Sequence, residues 1–101
     1  AIMQTIEFIN KNLHKKLPLE TLAKMSCMSP SKFKYLFKAV TGFPLTDYLV
    51  NKKMKKACSL LLNTNMYVAN IAQSLGYRSI GYFSACFEKY TDMLPNEYRI
   101  K

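Results

Sequence analysis

A pattern of seven side chains occurs twice in this chain, about fifty residues apart, and restricts its fold more than any other feature. The first copy runs Leu22-Ala23, Cys27, Phe33, Phe37, Thr41, Tyr48; the second runs Ile71-Ala72, Gly76, Phe83, Phe87, Thr91, Tyr98. The offset is 49 up to the Cys27/Gly76 position and 50 after it, so the copies differ by one residue in the turn. Apolar residues four apart share one face of a helix. Each copy therefore predicts a short helix, a sharp turn at a small residue and a longer helix whose paired Phe face inward.

The rest of the chain fits around these two units. Ile2, Ile6, Ile9 and Leu13 recur at helical spacing and predict a first helix, with a polar exit at Asn12 to Lys16 before Pro18. Leu19 to Ser26 reads as a short helix with Leu22 and Ala23 inward. Ser29-Pro30 is a start signal, because the hydroxyl accepts an orphan N–H and proline fits the first helical position. The helix it starts carries Phe33, Leu36, Phe37 and Val40 on one face, and Thr41-Gly42 ends it. Pro44 begins the longest helix, to about Asn63, with a stripe of Val50, Met54, Ala57 and Leu61. Asn63-Thr64-Asn65 is a break. Val68 to Leu75 repeats the short helix, Gly76 turns it, and Ser79 caps a helix with Phe83, Cys86, Phe87 and Tyr90 inward. Pro95 to about Arg99 is a final turn or two. No segment alternates with period two, so the expected fold is all-α with about seven helices. It consists of two helix-turn-helix subdomains, residues 1–43 and 64–101, joined by a long shared helix, residues 44–63. Each half has a thin apolar set, so the shared helix is expected to complete both cores. The six Met and most of the thirteen aromatics are expected in those cores.

Composition narrows the function. Half of the 101 residues are hydrophobic, which suits a folded core, and no apolar run reaches membrane-spanning length. No signal-peptide pattern opens the chain, but it begins at Ala1 and is read as a fragment or processed form. The net charge is +9 and uneven: residues 1–56 hold eleven basic and three acidic side chains, residues 57–101 four and three. Such a balance points to a polyanion, with nucleic acid ahead of an anionic membrane. Cys27, Cys58 and Cys86 form no CxxC, and the lone His14 is remote from all three in sequence. Cys58 and Cys86 are expected as small buried thiols in a reducing, cytoplasmic compartment. With one His, no paired carboxylates on one face and no nucleophile–base arrangement, the chain is not expected to be an enzyme or to bind a cofactor or metal.

A small residue four positions after the alanine allows a sharp turn, which sets the second helix across the first so that it protrudes. With Phe33, Leu36, Phe37 and Val40 inward, the opposite face of the first such helix holds Ser31, Lys34, Tyr35 and Lys38, with Lys32 beside them. Lys34 suits guanine O6 or N7 in the major groove, and Ser31 suits either base type. Tyr35 suits a phosphate or a thymine methyl, and Lys32 and Lys38 suit phosphates, which orient without specifying. The matching face of the second copy holds Gly81, Ser84, Ala85 and Glu88, with Ile80 and Tyr82 near its start. It lacks a cation and suits thymine methyls and a hydroxyl contact. Arg78, the N–H groups after Ser79, and Lys89 are expected to grip phosphate there. The halves are thus expected to be unequal, the first specifying more and the second mainly anchoring. Lys52, Lys53, Lys55 and Lys56 wrap around the long helix and cannot all face one partner. Solvation with long-range attraction and direct phosphate contact by one or two of them both remain open.

The doubled motif, the long joining helix and the ending Gly76-Tyr77-x-Ser79-x2-Tyr82-Phe83-Ser84-x2-Phe87-x2-Tyr90 … Pro95-x2-Tyr98-Arg99 resemble the AraC/XylS family DNA-binding domain, from about Ile2 to Arg99. The resemblance implies a seven-helix, two-subdomain regulator of transcription that binds asymmetric double-stranded promoter DNA, usually as an activator contacting RNA polymerase. In most members the domain follows a ligand-binding, dimerising or receiver domain, and some members act alone. By the same resemblance the reading residues are Ser31, Lys34 and Tyr35 in the first half, and Ile80, Gly81, Tyr82, Ser84 and Ala85 in the second. Three positions depart from the family pattern. Lys53 stands where many members have Arg, which is not an equivalent donor; Asp92 replaces the Gly that commonly ends the second reading helix; Ala85 occupies a site where a polar or basic residue is frequent. The alternatives weighed are a weakly specific DNA binder or repressor and, from a different class, a helical protein-interaction adaptor.

Overall fold

The computed structural model describes residues 2–100. Those residues form seven helices and no strand: α1 Ile2–Lys11, α2 Leu19–Met25, α3 Pro30–Thr41, α4 Leu45–Asn63, α5 Val68–Ser74, α6 Ile80–Thr91 and α7 Pro95–Ile100. The chain divides into two compact units, Ala1–Val50 and Asn51–Lys101, and the boundary falls inside α4.

In unit 1 the core gathers Ile6 and Ile9 of α1, Leu22 and Ala23 of α2, Phe33 and Phe37 of α3, and Tyr48 from the start of α4. The Phe37 ring lies 5.7 Å from that of Phe33 and meets Tyr48 edge-on at 5.0 Å, an arrangement that ring quadrupoles favour. The Ser26 hydroxyl lies 3.0 Å from the Leu22 carbonyl and shares a buried 2.6 Å hydrogen bond with the Thr5 hydroxyl. In unit 2 the buried set is Met54, Ala57 and Leu61 of α4, Ile71, Ala72 and Leu75 around α5, Phe83 and Phe87 of α6, and Pro95 of α7. Phe87 meets Tyr98 edge-on at 5.4 Å, as Phe37 meets Tyr48. Arg99 donates from Nε to the Leu61 carbonyl at 3.1 Å and from Nη2 to that of Thr64 at 3.3 Å. It thereby satisfies carbonyls left open at the end of α4.

The duplication reaches further than the two helix-turn-helix patterns. Ile2, Ile6, Ile9 and Leu13 match Val50, Met54, Ala57 and Leu61 of α4 at a constant offset of 48, and all but Val50 of that second set lie in unit 2. Helix α1 therefore does for unit 1 what most of α4 does for unit 2. Local bonds repeat as well. Thr41 donates to the Phe37 carbonyl at 2.8 Å and accepts the Phe43 N–H; Thr91 does the same with Phe87, at 2.9 Å, and Met93. The Tyr48 hydroxyl donates to Asn10 Oδ1 at 3.0 Å, and its counterpart Tyr98 hydrogen-bonds Cys58, the first cause of its raised pKa.

Both sharp turns use the left-handed region, with φ of 57° at Cys27 and 88° at Gly76. A side chain in that region costs roughly 1–2 kcal/mol. Cys27 is free and exposed, so Cys27→Gly is expected to raise the thermal unfolding midpoint, by about 1 kcal/mol of stability. A lower midpoint would mean that the Cys27 side chain itself holds the turn. Asp92 keeps the left-handed end of α6, at φ 65°, where Gly42 ends α3 at φ 85°. The loss of glycine there leaves the cap intact.

Several sequence expectations are corrected. Val40 is 48% exposed and Tyr90, fifty residues later, 39% exposed, although both continue the inward stripe. Helices α2 and α5 supply seven residues each, about 10 Å of cover against about 18 Å of α3 and α6, so the last turn runs past them. Cys86, at the α6 register of Leu36, and Cys58 are half-buried. Of the six methionines only Met54 is buried, and Tyr35, Phe43, Tyr67, Tyr82 and Tyr90 are exposed. Ser26 and Leu75 are C-caps that close α2 and α5 one residue earlier than expected, and α4 begins at Leu45, after Pro44.

Candidate nucleic-acid interface

Helix α3 is set by its ends. Ser29 is extended, its Oγ accepts the Lys32 N–H at 3.3 Å, Pro30 occupies the first turn, and Gly42 closes the far end. Phe33 and Phe37 are completely buried, which fixes the rotation of the helix and turns the opposite side outward. Ser31, Lys32, Lys34, Tyr35 and Lys38 are all exposed there, Tyr35 by 75%. Three lysines, a hydroxyl and a phenol thus share one solvent-facing surface with no acid among them, suited to a polyanion and to base edges.

Helix α6 is built the same way and is chemically different. Ser79 Oγ accepts the Tyr82 N–H at 3.1 Å, and Phe83 and Phe87 are completely buried. Gly81, Ala85, Glu88 and Lys89 are exposed, with Ile80 at 48% and Tyr82 at 64%. A Cβ at Gly81 would meet nothing within 4 Å, so no neighbouring atom excludes a side chain from this flat patch. Two expectations need correction. The Tyr82 N–H is occupied by the cap and is not free for phosphate, because Ser79 satisfies it first. Ser84 is half-buried, whereas Lys34, fifty residues earlier, is exposed, so Ser84 is less open than the exposed residues of the outer face.

Arg78 and Ser79 are exposed and line a cleft of about 570 Å³ with Ala69, Ala72, Gln73, Gly76, Tyr77 and Ile80. Unit 1 has the matching cleft, about 360 Å³, between Glu20, Thr21, Ala23, Lys24, Met28 and Pro30. Arg78 is the residue by which the second turn is longer. Sequence reading missed Lys24 and Gln73, which hold equivalent places 49 residues apart on the first helix of each pair. Their signal was available: each follows the inward alanine directly and is exposed beside the turn. Of the lysine cluster on α4, Lys55 and Lys56 are exposed, while Lys53 is half-buried with its Nζ 5.2 Å from the centre of the Tyr77 ring. Among the described residues no helix is long and apolar enough to cross a membrane, and no group of three His, Cys, Asp or Glu side chains is placed to hold a metal ion.

Residues 22–101 match the model of a family described as a helix-turn-helix domain. Curated relatives include the MmsAB operon regulatory protein of Pseudomonas aeruginosa, 34% identical over 92 residues that cover 91% of this chain and 30% of that protein. The lactose operon transcription activator of Staphylococcus xylosus is 32% identical over 98 residues, 97% of this chain and 35% of that one. The chain thus spans about a third of the length of these two relatives. Among solved structures, the C-terminal domain of the response regulator yesN from Fusobacterium nucleatum is 31% identical with a TM-score of 0.88, covering 96% of this chain and 95% of that one. The DNA-binding domain of AdpA, solved with a target DNA, is 25% identical with a TM-score of 0.92, over 98% of this chain and 89% of that one. Both the doubled fold and the matching family model lead to one assignment: the chain belongs to the AraC/XylS family of helix-turn-helix regulators.

Proposed function

We propose that the chain is a sequence-specific DNA-binding module that regulates transcription, most simply as an activator, with α3 and α6 entering successive major grooves of one promoter. The observation that carries this reading is the exposed α3 face, where Ser31, Lys34 and Tyr35 stand opposite the buried Phe33 and Phe37. Lys34 reads guanine, and Lys32 and Lys38 hold phosphates. Arg78, Ser79 and Lys89 grip backbone in the second site, while Ile80, Tyr82 and Ala85 touch thymine methyls and Gly81 admits the groove edge. Helix α3 specifies and α6 mainly anchors, because three lysines sit on the outer face of the first, while the second has Lys89 alone and presents Glu88 beside it.

The proposal extends to the whole protein in the same terms. Residues 44–63 serve as the joint between two reading subdomains, 1–43 and 64–101. The module works in the cytoplasm beside an N-terminal effector, dimerisation or receiver domain and touches RNA polymerase, without catalysis of its own. The activator reading draws support from the name of the Staphylococcus xylosus relative, and the receiver domain from the response-regulator neighbour. Selection from a random pool of duplexes, repeated at two salt concentrations, tests the core of the reading. The expected result is an asymmetric consensus with more information in one half; enrichment of no sequence above background would overturn it.

A single phosphate contact has its own signature. Lys32→Ala is expected to weaken every duplex alike and to flatten the plot of log affinity against log salt by about 0.9, the contribution of one neutralised phosphate. A changed base preference in that variant would instead put Lys32 in the groove.

A further inference from the structure

The two units join their first helix to the turn by different chemistry at the same register. In unit 1, Thr5 of α1 bonds Ser26 at the end of α2, buried and neutral. At the offset of 48 that aligns α1 with α4, the residue matching Thr5 is Lys53. Position 75, which matches Ser26, holds a buried Leu and offers no hydrogen-bond partner in its side chain. Lys53 instead places its Nζ 5.2 Å from the centre of the Tyr77 ring. That ring is one residue past the left-handed Gly76 and packs against two residues at the start of α6, Tyr82 at 5.9 Å and Phe83 at 5.3 Å.

We propose that Lys53, through its contact with the Tyr77 ring, is a positioning residue that sets how α6 presents Tyr82 to DNA. The inference rests on the reading that α6 touches DNA. Tyr82 is 64% exposed although one side of its ring leans on Tyr77, so the same side chain links the clamp to the outer face. A cation over an aromatic face is attracted by the ring quadrupole, more strongly where water is partly excluded. Burial pushes the Tyr77 phenol up to about 12, so the ring stays neutral at ordinary pH, and lowers the Lys53 ammonium from its usual value. Lys53 thus leaves the phosphate-facing set to its exposed neighbours Lys55 and Lys56.

The test uses Lys53→Met, Lys53→Arg, Tyr77→Leu, Tyr77→Phe and Tyr82→Ala in the full chain, with affinity for the selected duplex measured across salt and folding checked by thermal unfolding. Lys53→Met and Tyr77→Leu are each expected to lose roughly 3- to 30-fold in affinity at an unchanged salt slope, and together no more than either alone. Lys53→Arg and Tyr77→Phe, which keep a cation and a ring, are expected to restore binding. In the unaltered protein the Lys53 ε-methylene protons should resonate upfield from the ring current, and lose that shift in Tyr77→Leu. A salt slope that falls by one phosphate in Lys53→Met would make Lys53 a direct contact and overturn the proposal. Weakened binding in Tyr82→Ala with unchanged binding in Lys53→Met would overturn the positioning role alone. No loss in either would overturn the DNA reading of α6 on which it rests.

Discussion

Phe37→Ala is expected to lower the unfolding free energy by about 3–5 kcal/mol, the usual cost of emptying a buried phenylalanine site. Phe37 has no exposure, stacks near Phe33 and receives the edge of Tyr48, so its removal opens a cavity where α3 meets the start of α4. A fifty-residue unit has roughly 3–7 kcal/mol to lose. Unit 1 should therefore be largely unfolded at moderate temperature, and the α3 face lost with it. Guanidinium titration followed by circular dichroism checks the result, with Phe37→Leu as the control that keeps apolar volume and should cost distinctly less. A cost below about 1 kcal/mol would place Phe37 outside the core. Phe87, equally buried and set edge-on to Tyr98, should behave alike in unit 2.

Much of this was legible because helical spacing and turn chemistry are local. Phe33 and Phe37, Ser29-Pro30, Gly42 and Gly76 declare the inward face, the start, the stop and the turn within a few residues of themselves. What they do not declare is how far a partner helix reaches. Val40 and Tyr90 keep the right period but extend beyond the short α2 and α5, and end up exposed. The match between α1 and α4 was hidden for a related reason: Ile6 and Ile9 align with Met54 and Ala57, which share burial and not side-chain type. In the site, the outer face of α3 followed directly from the buried Phe pair. The half-burial of Ser84 was not visible in the pattern, since Lys34 at the same register of α3 is exposed, and the inward turn of Lys53 depended on Tyr77, a contact between elements that spacing along one helix does not reveal.

Lys34→Ala should weaken binding to the selected duplex by about 1–3 kcal/mol, and relax preference at one or two base pairs. At tenfold per 1.4 kcal/mol this is about 5- to 150-fold in affinity. Lys34 is exposed one residue after the completely buried Phe33, on the helix that carries the basic outer face. An ammonium there can donate to guanine O6 and N7, and the two other residues assigned to base reading on α3 are not cations: Ser31 carries a single hydroxyl, and Tyr35 a phenol. The loss should therefore be large on the preferred duplex and small on duplexes lacking that guanine, which separates Lys34 from Lys32, proposed to hold a phosphate. Lys34→Arg is the sharper variant. A guanidinium forms a two-pronged bond to guanine where its greater length is accommodated, so it should retain the guanine preference while changing affinity. Equal losses for Lys34→Ala on preferred and random duplexes would make Lys34 another phosphate contact and move base reading on α3 to Ser31 and Tyr35.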